Sequence, residues 1–166
     1  MQSLTLAQIR ASFVNTSRRE ATQATPPQDL STVEWDSLEL FGWSDPRSPQ
    51  RAYVIIPTQH AKAKDGVVGI MLRAVPAPPR QAMCALCEDI TQVSDVKMFS
   101  AKMAGSAGRN GDTLGTMIHA DFSCSTHARR FPSRLEGQDD PQAFIAARTD
   151  RLREHAERFA LRVLGV

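Results

Sequence analysis

Aromatic residues make up only 6% of this 166-residue chain, and cysteine occurs just three times. A secreted disulfide framework uses an even and denser cysteine set, so none is expected here. Two of the three cysteines form Cys84-Ala-Leu-Cys87, and thiolates on a metal in a reducing cytoplasm are the expected state. The chain has no apolar run on the order of 18 residues, which excludes a membrane-spanning helix. The segment Met1-Gln-Ser-Leu-Thr-Leu-Ala-Gln8 lacks the basic and apolar regions of a signal peptide. The net charge of +2 is too small to argue for nucleic acid by itself. No P-loop, G-x-G-x-x-G, H-E-x-x-H, deaminase motif or Ser/His/Asp spacing occurs. The chain is therefore expected not to be an enzyme and to take no small-molecule substrate. It carries no internal repeat and no low-complexity tract.

What is present reads as an α+β chain of one domain, long enough to bury a core without help from a metal. Thr5 and Gln8 form a capping box, flanked by Leu4 and Ile9 at the staple positions, and open a helix that fades near Asn15–Ser17. A polar loop is expected after Arg18-Arg-Glu20. Trp35, Leu38, Leu40, Phe41 and Trp43 read as packing residues, with Gly42 and Ser44-Asp-Pro-Arg47 ending the segment in a turn. Ala52–Ile56 and Val67–Arg73 read as antiparallel strands, and Pro76-Ala-Pro-Pro79 as a stiff linker. Lys97–Lys102 and Thr113–Ile118 read as a second hairpin, joined by turn chemistry at Gly105, Gly108 and Asn110-Gly111. A short helix from Phe122 to Arg130, capped by Asp121, should follow. Asp140-Pro141 starts a long final helix with Ile145, Leu152, Ala156, Phe159 and Val163 on one face. Gly165 ends it, and Glu154–Arg158 and Arg153–Glu157 stand at ion-pair spacing.

All three cysteines lie between residues 84 and 124. A structural zinc takes four tetrahedral thiolate and imidazole ligands. The Cys84–Cys87 knuckle offers two sulfurs, and Cys124 a third at a helix start. His119 and His127 both flank Cys124. His119, which ends a strand, is the expected fourth ligand, and His127, a turn into the helix, is the alternative. Knuckle, hairpin and helix start together make a treble-clef arrangement around one structural Zn2+. Four protein ligands leave no open position, so the metal is expected not to be catalytic.

On Leu6–Asn15, Leu40-Phe-Gly-Trp-Ser-Asp45, Met83-Cys-Ala-Leu-Cys87, Phe99–Lys102, Gly108–Thr116 and His119-Ala-Asp-Phe-Ser-Cys-Ser125, the chain resembles the FusB/FBP family of elongation factor G-binding proteins. The resembling part is their C-terminal treble-clef zinc-finger domain. The resemblance covers nearly the whole chain. It implies a small antiparallel sheet with flanking helices and a treble-clef zinc finger. It divides the single FBP-type domain into a helix-plus-strand part over 1–79, the finger over 80–135 and a C-terminal helix over 140–165. It further implies a non-enzymatic, cytoplasmic protein that binds translation elongation factor G and promotes its release from ribosomes stalled by fusidic acid. The helical bundle that the resistance proteins carry has no counterpart before Thr5.

Lys97, Lys102, Arg109, Arg129 and Arg130 are expected to form a basic face on the hairpin and short helix that meets an acidic protein surface. Phe99 and Met117 are expected beside them, with Met117 standing where an aromatic is usual in the family. The alternative partner is ribosomal RNA or another nucleic acid, with the same cations on phosphates and Phe99 or Phe131 stacking on bases.

Overall fold

The computed structural model describes residues 1–26, 29–76, 81–89, 95–133 and 140–166. Five strands form one antiparallel sheet in sequence order: β1 (Phe41–Ser44), β2 (Arg51–Pro57), β3 (Val67–Ala74), β4 (Val96–Lys102) and β5 (Thr113–His119). The hairpin expected to belong to the finger is thus the continuation of the first one. Leu72, Arg73 and Ala74 of β3 pair with Ala101, Ser100 and Phe99 of β4. No helix among the described residues is long and apolar enough to cross a membrane.

Over most of β2 and β3 both faces of the sheet are buried, with successive side chains pointing to opposite sides. Ala52, Val54 and Ile56 of β2, with Val68, Ile70 and Leu72 of β3, face a core that includes the three cysteines. The final helix, α5 (Pro141–Leu164), covers that face with Leu152, Ala156, Phe159, Ala160 and Val163. Tyr53, Ile55 and Val67 face a second core with Leu4, Ile9 and the aromatics Trp35, Phe41 and Trp43. There the Trp43 and Tyr53 rings stack at 5.0 Å.

The first helix, α1 (Leu6–Ser12), has the expected capping box on Thr5. It ends sooner than its periodicity suggests, because Phe13 bridges to Gly69 and Val14 N–H donates to the Gly69 carbonyl. A side chain at position 69 would collide with Ser12 and Phe13, so glycine lets the helix end lie on the sheet. Asn15 then locks the chain down: its Oδ1 accepts from Met71 N–H, and its Nδ2 donates to the carbonyls of Met71 and Lys102.

Several expectations are corrected. The polar stretch after Asn15 starts as a helix, α2 (Arg18–Gln23), with a second capping box between Ser17 and Glu20. Phe41–Ser44 is a strand with Gly42 inside it, and the expected turn follows at Asp45–Ser48. The β4–β5 connection contains a short helix, α3 (Gly105–Arg109). The helix after β5 is α4 (Cys124–Arg129), two residues shorter at its start than expected, with Ser123 and not Asp121 at the N-cap position and no side-chain capping bond. The long helix is as read, with Asp140 Oδ1 accepting from Ala143 N–H and Gly165 in the left-handed conformation. Glu154 and Arg158 pair, whereas Arg153 bonds Asp150 and Glu39, and Glu157 accepts from Thr58. Of the proline linker, only Pro76 falls within the described residues.

Candidate metal centre

Three chain segments converge at the end of β5. Cys84 opens a tight turn whose carbonyl accepts from Glu88 N–H at 2.9 Å, and Glu88 takes a positive φ of 54° to complete it. That turn is fixed to the sheet by Ala85 N–H, which donates to the Met117 carbonyl at 2.7 Å. His119 is the last residue of β5, and its carbonyl accepts from Phe122 N–H. Phe122 adopts φ 61°, uncommon for a residue with a side chain. This bend brings Cys124, the first residue of α4, back under the knuckle. Asp121 Oδ1 holds the bend by accepting from Ser123 N–H at 3.0 Å and Ser123 Oγ at 2.7 Å.

Phe122 itself is held by two neighbours. Its ring packs on Phe99 at 5.7 Å between centroids. It also lies against Gly42, where an added Cβ would sit 2.5 Å from the ring. Gly42 is a site-shaping residue across the sheet, and its place in the Gly-Trp dipeptide was the signal for it.

The donor atoms of Cys84, Cys87, His119 and Cys124 all lie within 4.8 Å of one another, and all four residues are buried. The Cys84 and Cys124 sulfurs are 3.6 Å apart, and His119 Nδ1 is 3.5 Å from Cys87 Sγ and 3.7 Å from Cys124 Sγ. A tetrahedral zinc with its usual bond lengths requires edges of about 3.8 Å between sulfurs and about 3.6 Å between sulfur and nitrogen. The separations match those edges and are far too long for a disulfide. The set fits one structural zinc.

The electrostatics agree. Hydrogen bonds to Cys124 and then Cys87 hold the Cys84 thiol far below the usual thiol range, while Cys84 and Cys87 drive Cys124 well above it. Burial alone would lower the His119 pKa, but Cys84 and Cys87 against the ring push it up to about 10. Donors crowded this way share protons among themselves, and a divalent cation takes the place of those protons.

His127 stands at the rim. Its ring meets that of His119 edge-on at 4.1 Å. Its Nε2 lies 3.2 Å from Ser123 Oγ and its Nδ1 3.7 Å from Asp89. Burial, then the charge on His119, lowers its pKa. Asp89, His119 and His127 form a second close group that shares His119 with the first.

The expected contact residues do not form one face. Phe99 is 2% exposed and belongs to the core, so it offers no surface for a protein or a base. Arg129 is committed to Glu39, whose side chain is fully buried: its Nη1 and Nη2 both donate to that carboxylate, and Arg153 adds a third bond. Arg130 lies 3.9 Å from Asp89. Lys97 and Lys102 are exposed at opposite ends of β4, and Arg109 is exposed near Lys102. Met117 is half-buried. The Glu39 network went unread, although a carboxylate between Leu38 and Leu40 was its signal.

Beside the knuckle, the outer edge of β5 and α5 enclose a groove of 480 Å3, lined among others by Ala85, Met98, Met117, Phe159 and Arg162. Met98 is 38% exposed there.

Comparison with known proteins agrees with this geometry. No curated protein and no solved structure matches the chain significantly. A model of one family, described as the FBP C-terminal treble-clef zinc-finger, matches residues 8–163. The chain, matched over nearly its whole length, belongs to the FBP C-terminal treble-clef zinc-finger family.

Proposed function

We propose that this protein is a non-enzymatic binding module that docks on translation elongation factor G and promotes that factor's release from the ribosome. The observation that carries this reading is the complete, buried Cys3His donor set. Four protein donors leave no position for a substrate, so the metal's work is to fix the surface around it. The family is one of binding and resistance proteins, and elongation factor G is the partner it implies.

The ligands in this reading are Cys84, Cys87, His119 and Cys124. Zinc there fixes the knuckle against β5 and so shapes the groove between knuckle, β5 and α5. That groove forms the proposed docking face. Met98 and Met117 supply adaptable apolar contact, and Arg162 meets acidic groups. Lys102 and Arg109 lie at the other end of the hairpin and are not part of it. In the domain reading, 1–79, 80–135 and 140–165 are parts of a single unit, supported by the sheet that the first two share and by the core that α5 packs onto.

Calorimetric titration of purified elongation factor G with the zinc-loaded protein tests the reading. Saturable binding that Met98→Glu or Met117→Glu abolishes is the expected outcome. Absence of binding by the wild type would remove elongation factor G as the partner.

A further inference from the structure

We propose that a cationic strip at the end of the sheet remote from the knuckle, formed by Arg51, Arg73, Lys102 and Arg109, binds the phosphate backbone of RNA. The site is separate from the docking face beside the zinc and does not rest on it. Arg51 and Arg73 are direct cross-strand partners of β2 and β3, so two guanidinium groups leave the same face side by side. Like charges placed directly opposite destabilise a sheet. Arg73 pairs in turn with Ser100 of β4, which puts Lys102, two residues on, on the same face as its diagonal neighbour. Arg109 of α3 joins Arg73 and Lys102 around a cavity of 420 Å3 that Asn15, Thr16 and Ser17 also line.

Asp45 and Glu20 partly offset these four cations. Asp45 lies 4.0 Å from Arg51. Glu20 lines the cavity, but its carboxylate already accepts from Ser17 N–H and Ser17 Oγ at 2.8 Å each. Arg73, Lys102 and Arg109 are exposed, and no ion pair among the described residues engages them. In a chain whose total charge is +2, this is a marked local excess.

The surroundings favour a phosphodiester chain over an acidic protein. A protein contact of useful strength is built on a buried apolar centre. Val75, Met83, Met98, Phe131 and Val166 are the exposed large hydrophobic residues among those described, and none of them lines this cavity. Arginine forks, a lysine and small hydroxyl and amide groups are what phosphate and sugar contacts use. The aromatics behind the strip, Trp43 and Tyr53, are buried and offer bases no stacking surface. Recognition here is of the backbone, without sequence preference.

Fluorescence anisotropy of the zinc-loaded full chain with labelled oligouridine tests this. Four phosphate contacts on a single strand predict a slope of log affinity against log salt of about −3, a loss of about fifty-fold between roughly 50 and 200 mM. The Arg73→Gln/Lys102→Gln/Arg109→Gln variant should reduce the slope to about −0.7 and weaken binding throughout. Lys97→Gln should change neither. Arg73→Gln alone should weaken binding while raising Tm, because it removes the like-charge contact; this separates lost binding from lost fold. If it lowers Tm instead, the exposed pair Lys102→Gln/Arg109→Gln carries the test, with a slope expected near about −1.4. Absence of salt-dependent binding by the wild type would overturn the proposal, as would a triple variant that binds like the wild type. Tighter binding of polyglutamate than of oligouridine would assign the strip to an acidic protein surface and overturn it equally.

Discussion

His119 and His127 stand 4.1 Å apart, yet their nitrogens face different neighbours. His119 aims Nδ1 between Cys87 and Cys124, while His127 turns Nε2 to Ser123. His119→Ala is therefore expected to strip the protein of most of its zinc, whereas His127→Ala retains close to one equivalent, as read by metal analysis after dialysis. The reverse result would move the fourth ligand to His127. At this scale the cysteines and His119 were legible because tetrahedral ligation restricts both residue type and spacing. The contact residues were less so, because burial depends on partners remote in the chain. Arg129 reads as a surface cation until Glu39, 90 residues earlier, is placed beside it. Phe99 reads as an exposed strand aromatic until Phe122 bends back onto it.

Elements with a strong period or a full cap were readable: β2, β3, β4, β5 and α5 lie where their patterns put them, as does the start of α1. The short ones were not. β1 spans four residues with a glycine among them, too few for alternation to stand out. The Ser17–Glu20 box of α2 stands before a polar stretch with no apolar face, so nothing but the cap marked a helix. Gly42 shows what such a short element does for the site. It is a flat place in β1 on which the strained turn before Cys124 rests. Gly42→Ala should cost about 1–3 kcal/mol, because the new methyl meets a ring held by Phe99 and by a backbone already at positive φ. Gly115→Ala is the control. Its nearest neighbour is the flexible Met98 Sδ at 3.6 Å, and its effect should stay within about 0.5 kcal/mol. Urea unfolding of the two variants checks both values, and equal effects would show that Phe122 can yield.

For the molecule as a whole, the expectation was a single domain made of a helix-and-strand part, a finger and a final helix, and the pairing of β3 with β4 runs one sheet through the first two. Register between strands separated by the knuckle is set by pairing in three dimensions, which no local pattern encodes. The shared sheet has a consequence for the metal. A small zinc finger unfolds without its ion, because the ligands are most of what holds it. Here the donors belong to one core, while Trp35 and Trp43 sit in the other, across the sheet, with Leu4, Ile9, Phe41 and Tyr53. Chelation should therefore release the knuckle, the bend at Phe122 and the start of α4, and leave the tryptophan side standing. The expected result of a chelator titration is loss of protection at the amides of Ala85, Glu88 and Phe122 in hydrogen exchange, with tryptophan emission unshifted at the point of zinc release. A red shift of that emission in step with zinc loss would mean that the two cores fold as one unit and that the metal holds both.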